Sequence, residues 1–335
     1  MELISQDVPC RVFSDSRPAR ALATTEGAVA APRPRPAPRL GVALGGGSAR
    51  GYAHFGALAS LERNGLVPDV IAGTSFGAVV GALYATGRPL PELLRQAESM
   101  RRRDVFPYVA DFGLHRAALF QGKRLEAYFD RLLEGRSFAD LEKRLVVVTT
   151  DIDSGEQVLL ESGPLALALR ASTAIPGVFA PALVDGRRLI DGGIGSPVPL
   201  DTLDGLDVDV AIGIGAGMEA GDSGAIRLAR RVLASDGARR WQSRAAAAAP
   251  KGAVGRLGRA LAFAAGGWAG AARGGAPTAG PDGAVSAAGG CRRFEVHTKP
   301  PIHWLNFHRA GEAIRAGDAA LTGLVPLVIT AMAQV

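Results

Sequence analysis

The stretch DVIAGTSFGAVVGALYATG, from Asp69 to Gly87, joins an apolar strand to an apolar helix through a serine flanked by glycines. Gly87 and Pro89 end the helix. A serine on such a strand-to-helix turn projects its hydroxyl above the edge of a sheet, where the helix N-terminus favours developing negative charge. The G-x-S-x-G sequence from Gly73 to Gly77 therefore has two interpretations. Ser75 is either a nucleophile or a helix cap in a turn where glycines were selected for packing.

The same strand–turn–helix pattern immediately precedes this stretch. LGVALGGGSARG, which begins at Leu40, is followed by the helical YAHFGALASLERNG. Two such units in succession predict an α/β fold with a parallel sheet and crossover helices. The β-branched run RLVVVTTDI and the later DVDVAIGIGAG predict two more buried strands, and GKRLEAYFDRLLEG predicts an amphipathic helix. LALALRASTAIPGVF predicts a helix that is broken at Pro176.

Composition divides the chain into three parts. Residues 1–38 alternate proline with arginine and alanine, which predicts a disordered leader. Residues 39–215 and 291–335 predict one folded catalytic domain. Residues 216–290 are rich in alanine, glycine and arginine, and glycine costs about 1 kcal/mol at each interior helix position. We therefore predict that this insertion is largely flexible.

The positive charge of the protein is concentrated near that insertion. The whole chain has a formal net charge of +6, whereas residues 216–293 carry twelve Lys and Arg against four acidic residues, a net of +8. Such a segment either attracts an anionic membrane surface transiently or is a solvated linker. Only three Trp and four Tyr are present, without an interleaved basic motif, so we expect no nucleic-acid partner.

The sequence carries no signal-peptide core and no apolar run of about 20 residues. We therefore expect a cytoplasmic protein, in contact with the membrane at most as a peripheral protein. Cys10 and Cys291 lack metal-ligand spacing, so we predict neither a disulfide scaffold nor a metal site.

The glycine loop, Gly45 to Gly51, also follows a strand and precedes a helix. Its free N–H groups suit an anion. A dinucleotide site requires G-x-G-x-x-G, but alignment on Gly46 and Gly51 places Ser48 at the middle glycine, and a P-loop would need Lys-Ser/Thr. An oxyanion hole is the other interpretation, favoured by the candidate nucleophile on the neighbouring strand.

A nucleophilic serine needs a base. His54, His115, His297, His303 and His308 are the histidines of the chain, and the last three follow Ser75 in the order of an α/β-hydrolase triad. None of them lies on a strand-to-loop turn with small neighbours. Asp191 does, because it follows the apolar RRLI and precedes Gly192 and Gly193. An aspartate that is desolvated beside a hydroxyl can act as a base.

Five segments occur in the order in which one family carries them: GGGSARGYAHFGAL, VIAGTSFGAVVGALYATG, VVVTTDIDSGE, LALALRASTAIPGVFAP and LIDGGIGSPVPLD. Together they make the chain resemble the patatin-like phospholipase family, in particular its small bacterial members. The resemblance covers about Leu40 to Gly215 and resumes at RFEVHTKPPIHWLNFHRAGEAIRAGDAAL. It implies a three-layer α/β/α fold with a central, mostly parallel sheet.

The resemblance also implies a function and its residues. It implies a lipid acyl-ester hydrolase in which Ser75 is the nucleophile and Asp191 the proton acceptor, without histidine. The N–H groups of Gly46, Gly47 and Ser48 would form the oxyanion hole, and no cofactor is implied. The supporting residues would be Arg50, Gly73, Gly77, Gly192 and Gly193.

Alternatives of other classes remain at this point. They are an esterase with a Ser-His-Asp triad, a regulatory protein that binds a nucleotide or phosphate, and a membrane-interaction module. The expected partner is a lipid substrate, with Phe76, Phe179 and Ile194 as candidates for lining an acyl channel.

Overall fold

A computed structural model describes residues 37–101, 111, 118, 120–176, 178–217 and 291–335, with two short strands at 12–13 and 284–286. The predictions of a disordered leader and of a flexible insertion fall mainly on residues outside these ranges and stay predictions. The strands are β1 (Val12–Phe13), β2 (Leu40–Leu44), β3 (Val70–Thr74), β4 (Arg144–Asp151), β5 (Gln157–Leu160), β6 (Ala182–Val184), β7 (Arg187–Asp191), β8 (Val210–Gly215), β9 (Ala284–Ser286) and β10 (Arg292–His297).

The α-helices of the described ranges follow the strands in alternation over the first part of the chain. They are α1 (Ala53–Arg63), α2 (Phe76–Ala85), α3 (Leu90–Ser99), α4 (Lys123–Leu132), α5 (Leu165–Ser172), α6 (Ala310–Leu321) and α7 (Val325–Ala333). Helix α5 ends at Ser172, four residues before the predicted break at Pro176. Short 3₁₀ turns lie at Ser48–Tyr52, Phe138–Asp140, Gly192–Ile194, Leu200–Gly205 and Phe307–Arg309.

The described strands form one mixed sheet in the order β1-β5-β4-β3-β2-β8-β10-β9. Its centre is parallel: β4, β3, β2, β8 and β10 pair in the same direction. Its edges are antiparallel, since β5 and β7 both run against β4. The predicted α/β class with a mostly parallel centre is confirmed. Residues after 291 belong to the same sheet as residues 40–215, because β10 pairs with β8 from Arg292↔Val210 to His297↔Gly215.

Alternating residues of the central strands face two cores. Val42, Ile71, Val147 and Ile212 belong to the larger core, which lies beneath the helices. Ala43, Ala72, Val146 and Ala211 face the other side and pack with Leu203 and Leu206 in and after the 3₁₀ turn Leu200–Gly205. Successive side chains of a strand point to opposite faces of the sheet. Continuous apolar runs therefore predict strands that are buried on both faces, as in the middle of a parallel sheet.

No single helix of the described ranges is long and apolar enough to cross a bilayer. Two consecutive helical segments, Phe307–Leu321 and Val325–Ala333, are bent by 50° relative to each other. Together they meet the length and composition of a membrane span, and no other property of the pair points to one.

Candidate active site

Strand register brings Ser75 and Asp191 together. β3 pairs with β4 up to Thr74↔Val148, and β7 pairs with β4 from Thr149↔Asp191 onwards. β5 overlaps both stretches of β4, from Val147 to Thr150, and therefore takes the opposite side of that strand. The ends of β3 and β7 consequently meet on the same side of β4. Ser75 and Asp191 are 116 positions apart in the chain, and this meeting makes them neighbours.

The two side chains form a hydrogen bond. Ser75 Oγ donates to Asp191 Oδ2 at 2.8 Å. The other carboxylate oxygen, Oδ1, accepts from the backbone N–H of Gly193 at 2.8 Å. That second bond fixes the carboxylate, so that Oδ2 is directed at the serine. Gly192 permits the arrangement, because a Cβ there would lie 2.3 Å from the carbonyl oxygen of Val148.

Burial gives Asp191 the character of a base. The residue is 7% exposed, and desolvation raises its pKa from 3.8 to about 6, against the lowering effect of the bonds from Gly193 and Ser75. A carboxylate with this pKa is ionised at neutral pH and yet accepts a proton more readily than an exposed aspartate. The environment therefore suits proton transfer from the serine hydroxyl.

The backbone of Ser75 is held in a conformation that few non-glycine residues adopt. Its φ is 53° and its ψ −125°, which costs of the order of 1–3 kcal/mol. The turn is tight because Gly77 lies against the end of β2, where a Cβ would come within 2.2 Å of the carbonyl oxygen of Leu44. The strained turn presents the hydroxyl above the sheet edge, as the G-x-S-x-G sequence predicts.

Ser172 contributes to this turn, although no motif in the sequence pointed to it. Its hydroxyl accepts from the Ser75 N–H at 2.8 Å and donates to the Val148 carbonyl at 2.7 Å. Two residues later, the Ala174 carbonyl accepts from the Asp191 N–H at 3.0 Å. The end of α5 thus contacts the backbone of both site residues. The sequence signal that could have found it is its place in LALALRASTAIPGVFAP, one of the five segments that carry the family resemblance. In the structure Ser172 is fully buried, and a buried hydroxyl requires a hydrogen-bond partner.

The glycine loop offers two of the three predicted N–H donors to an anion. The Gly46 N–H, which we predicted to face the oxyanion, instead donates to the Pro197 carbonyl at 2.9 Å and is already occupied. The N–H groups of Gly47 and Ser48 have no hydrogen-bond partner among the described residues. They are the donors available to an anion.

Ser48 replaces glycine at a position that needs a positive φ. Its φ is 51°, in the left-handed region that disfavours residues with a Cβ. The serine nevertheless occupies it, held between the 3₁₀ turn that starts here and the bond from the Ala49 N–H to the Trp304 carbonyl at 3.0 Å. The substitution therefore keeps the loop shape at the cost of backbone strain.

Arg50 supports the loop through backbone carbonyls. Its Nε donates to the Ile302 carbonyl at 3.0 Å and its Nη1 to the Gly217 carbonyl at 2.8 Å. Together with the bond between Ala49 and Trp304, these contacts tie the loop to the segment before α6 and to the residues that follow β8. The Arg50 side chain thus contacts the backbone on either side of the loop.

The contacts that the structure gives for His54, His297 and His303 are with residues other than Ser75. His54 is fully buried, its Nε2 donates to the Gly45 carbonyl at 2.7 Å, and burial lowers its pKa to about 4. His297 pairs with Glu295 at 3.1 Å, and the His303 ring lies 5.7 Å from that of Trp304. His308 lies in the 3₁₀ turn Phe307–Arg309, and His115 lies outside the described residues. Neutral His54 positions the glycine loop.

Gly73 packs closely, since a Cβ there would lie 2.5 Å from the Cα of Ala78. Of the residues expected to line an acyl channel, Phe76 contacts the rings of Tyr52 and Phe307 at centroid distances of 4.9 and 5.8 Å. Phe179 instead packs on Phe120, and Ile194 lies in the turn after Asp191. Within the described ranges, no group of three or more His, Cys, Asp or Glu is placed to hold a metal ion.

Comparison with known proteins shows what this chain is similar to. The family model for patatin-like phospholipases matches residues 42–204, the region that contains the glycine loop, Ser75 and Asp191. The matched region makes up just under half of the chain. An uncharacterized NTE family protein of Mycobacterium tuberculosis is 41% identical over 189 residues, which are 55% of this chain and 51% of that protein. The chain therefore spans about half the length of this curated relative.

More distant proteins share the domain or the fold. Human patatin-like phospholipase domain-containing protein 6 is 30% identical over 184 residues, 54% of this chain but 13% of that protein. The crystal structure of VipD from Legionella pneumophila superposes with a TM-score of 0.51 over 87% of this chain and 67% of its own, at 13% identity. At that identity, the superposition supports the patatin-like fold alone.

Proposed function

We propose that the protein hydrolyses carboxylic ester bonds of lipids, with Ser75 as nucleophile and Asp191 as general base. The observation that carries this proposal is the 2.8 Å bond from Ser75 Oγ to the buried carboxylate of Asp191. The matched family, patatin-like phospholipases, supports a lipid ester as the substrate class. Phospholipids, lysophospholipids and neutral acylglycerols all present the required bond.

The chemistry proceeds in two balanced steps. Ser75 Oγ attacks the ester carbonyl carbon while its proton passes to Asp191 Oδ2. The tetrahedral intermediate then collapses, the C–O bond to the alcohol breaks, and Asp191 returns the proton to that alcohol. Water next attacks the carbonyl carbon of the acyl-enzyme while Asp191 accepts its proton. The bond between that carbon and Ser75 Oγ then breaks, Asp191 returns the proton to Oγ, and the fatty acid leaves.

The glycine loop stabilises the charge that develops on the carbonyl oxygen. Gly47 and Ser48 supply the N–H groups, since Gly46 donates to Pro197. Loss of one oxyanion donor typically costs about 100- to 1000-fold in kcat. Ser48 has a strained backbone, with a φ of 51°. We expect this conformation to direct one of the two N–H groups at the oxyanion.

The test measures labelling and turnover together. A serine-directed fluorophosphonate should label wild type and not Ser75→Ala, and wild type should release fatty acid from p-nitrophenyl esters and from lysophospholipid. Asp191→Asn should abolish turnover.

Two conservative substitutions serve as controls. Ser99→Ala alters an exposed serine on α3, and Asp185→Asn alters the turn between β6 and β7, where an Asn-Gly pair suits the positive φ values of 47° and 75°. Both should match wild type. Labelling that persists in Ser75→Ala, or full turnover in Asp191→Asn, would exclude the proposed roles.

A further inference from the structure

Arg170 on α5 is a buried cation that the proposed mechanism does not use. It is 3% exposed, and its guanidinium donates to three backbone carbonyls. Nε donates to Gly122 at 3.0 Å, and Nη2 donates to Gln121 at 2.5 Å and to Ala180 at 2.6 Å. The remaining nitrogen, Nη1, is buried without a hydrogen-bond partner in the described part of the chain. Apolar residues can often replace a buried ionic group without loss of stability. The contacts of Arg170, rather than its burial, are therefore the property to explain.

The three carbonyls belong to two segments that meet at Arg170, residues 120–122 and 178–180. The Phe120 N–H donates to the Val178 carbonyl and the Ala180 N–H donates to the Phe120 carbonyl, both at 2.9 Å. A Cβ on Gly122 would lie 1.9 Å from Arg170 Nε, so the glycine is what lets the guanidinium reach this backbone. Arg170 thus fastens the paired segments to α5.

The second of these segments ends a short stretch of chain that starts at the active site. Helix α5 ends at Ser172. Two residues later the Ala174 carbonyl accepts from the Asp191 N–H at 3.0 Å. The chain then reaches Ala180, whose carbonyl returns to Arg170 on the same helix. The stretch is therefore held at both ends by α5, and the carbonyl that holds the Asp191 backbone lies within it.

We propose that Arg170 is a positioning residue for the general base: its bond to the Ala180 carbonyl closes the stretch and so fixes the Ala174 carbonyl that holds Asp191. The inference rests on the proposed role of Asp191 in ester hydrolysis. Arg170 acts through the backbone of Ala174 and not through a contact with the ester. Without Arg170, the stretch should move and admit water to Asp191. Because desolvation raises the pKa of Asp191 to about 6, access of water should lower that pKa toward its ordinary value.

The experiment measures steady-state hydrolysis of p-nitrophenyl butyrate across pH in wild type, Arg170→Gln and Arg170→Lys. Arg170→Gln should lower kcat roughly 10- to 100-fold with little change in KM, and the rise of kcat/KM through about pH 6 should move to lower pH. Arg170→Lys keeps the charge but not the planar fork, so it should restore only part of kcat. Hydrogen exchange of the peptide that contains Asp191 should be faster in both variants. A general loss of stability would instead lower the fraction of folded enzyme and leave the pH midpoint unchanged.

Arg188→Gln is the matched control. Arg188 belongs to β7, the strand that ends at Asp191, but its ion pair with Asp153 is exposed, and exposed pairs contribute little to stability. This variant should keep the kcat, the pH midpoint and the hydrogen exchange of wild type.

The outcomes separate this inference from the proposed function. If wild type cleaves esters but Arg170→Gln keeps the wild-type kcat, or loses kcat with an unchanged pH midpoint and unchanged exchange, Arg170 does not position the base. If Arg170→Gln does not fold, Arg170→Lys decides: a lowered kcat with a lowered pH midpoint supports the inference, and wild-type values overturn it. If wild type cleaves no ester and Ser75 is not labelled, the proposed function itself is wrong, and the role of Arg170 in catalysis is wrong with it.

Discussion

Replacement of Ser172 by alanine should both slow catalysis and destabilise the fold. The Ser172 hydroxyl links the Ser75 N–H, at 2.8 Å, to the Val148 carbonyl, at 2.7 Å. Its side chain is fully buried. In the alanine variant, the Ser75 N–H loses this acceptor, and water has no ready access. The strained backbone of the nucleophile then loses one of the bonds that hold it.

The magnitude follows from the lost bond. A buried donor left without an acceptor costs about 1–3 kcal/mol, and the strain at Ser75 is of the same order. If the turn relaxes, the serine leaves the position in which Asp191 accepts its proton. A loss of about 1.4–2.7 kcal/mol in transition-state stabilisation lowers kcat about 10- to 100-fold. KM should change little, because the ester-binding surfaces are intact.

Thr173 provides the matched control. It is adjacent, also hydroxylated and also at the end of α5, but its hydroxyl donates to the Leu169 carbonyl of its own helix at 2.7 Å. Thr173→Val should keep kcat within about twofold of wild type. The assay is steady-state hydrolysis of a p-nitrophenyl ester with the rate of fluorophosphonate labelling and thermal unfolding measured in parallel. The reasoning fails if Ser172→Ala retains wild-type kcat, or if Thr173→Val loses as much.

Four further predictions concern the pH dependence of catalysis, the pH dependence of stability, the histidines and a glycine. Because the base must be ionised, kcat/KM for a neutral ester should rise through about pH 6, the pKa to which burial raises Asp191; a rise centred near 4 would contradict this environment. A carboxyl whose pKa is raised on folding costs stability once it is ionised, so Asp191→Asn should raise the free energy of unfolding by about 3 kcal/mol near pH 8 and by nothing below about pH 4, as measured by denaturant unfolding. His303→Asn and His308→Asn should each retain at least about half of wild-type turnover. A severe loss of turnover with an intact fold would favour the alternative of a Ser-His-Asp triad. Gly77→Ala should destabilise by more than about 3 kcal/mol or prevent folding, since its Cβ would lie 2.2 Å from the Leu44 carbonyl; soluble, normally stable protein would show that the turn can shift.

The fold and the pair of site residues could be predicted from the sequence because local signals agree with one another there. β3 and α2 are short and apolar, and Gly73 and Gly77 mark the tight turn between them. The hairpin of β6 and β7 was only half predicted, as a single short strand before Asp191. Its Asp185-Gly186 turn, with φ values of 47° and 75°, carries the usual signal of a two-residue hairpin.

Other features could not be read from the sequence because they depend on contacts between distant segments. The Gly46 N–H is occupied by the carbonyl of Pro197, and Trp304 holds the neighbouring Ala49. Neither contact has a local signature, since each follows from where the sheet places the chain. The role of Ser172 likewise depends on β3 and β4 meeting the end of α5.

The site contains unfavourable backbone conformations and a buried carboxyl, and many backbone hydrogen bonds hold them in place. Ser48 and Ser75 both have positive φ values, 51° and 53°, and Asp191 is a carboxyl whose ionised form is disfavoured by burial. A histidine base would be oriented by its own hydrogen-bonded carboxylate, whereas the proposed base, Asp191, is oriented by the Gly193 N–H. Its reactivity depends on exclusion of water and on fixed backbone bonds. Changes to supporting residues such as Ser172 should therefore lower the rate as well as the stability of the fold.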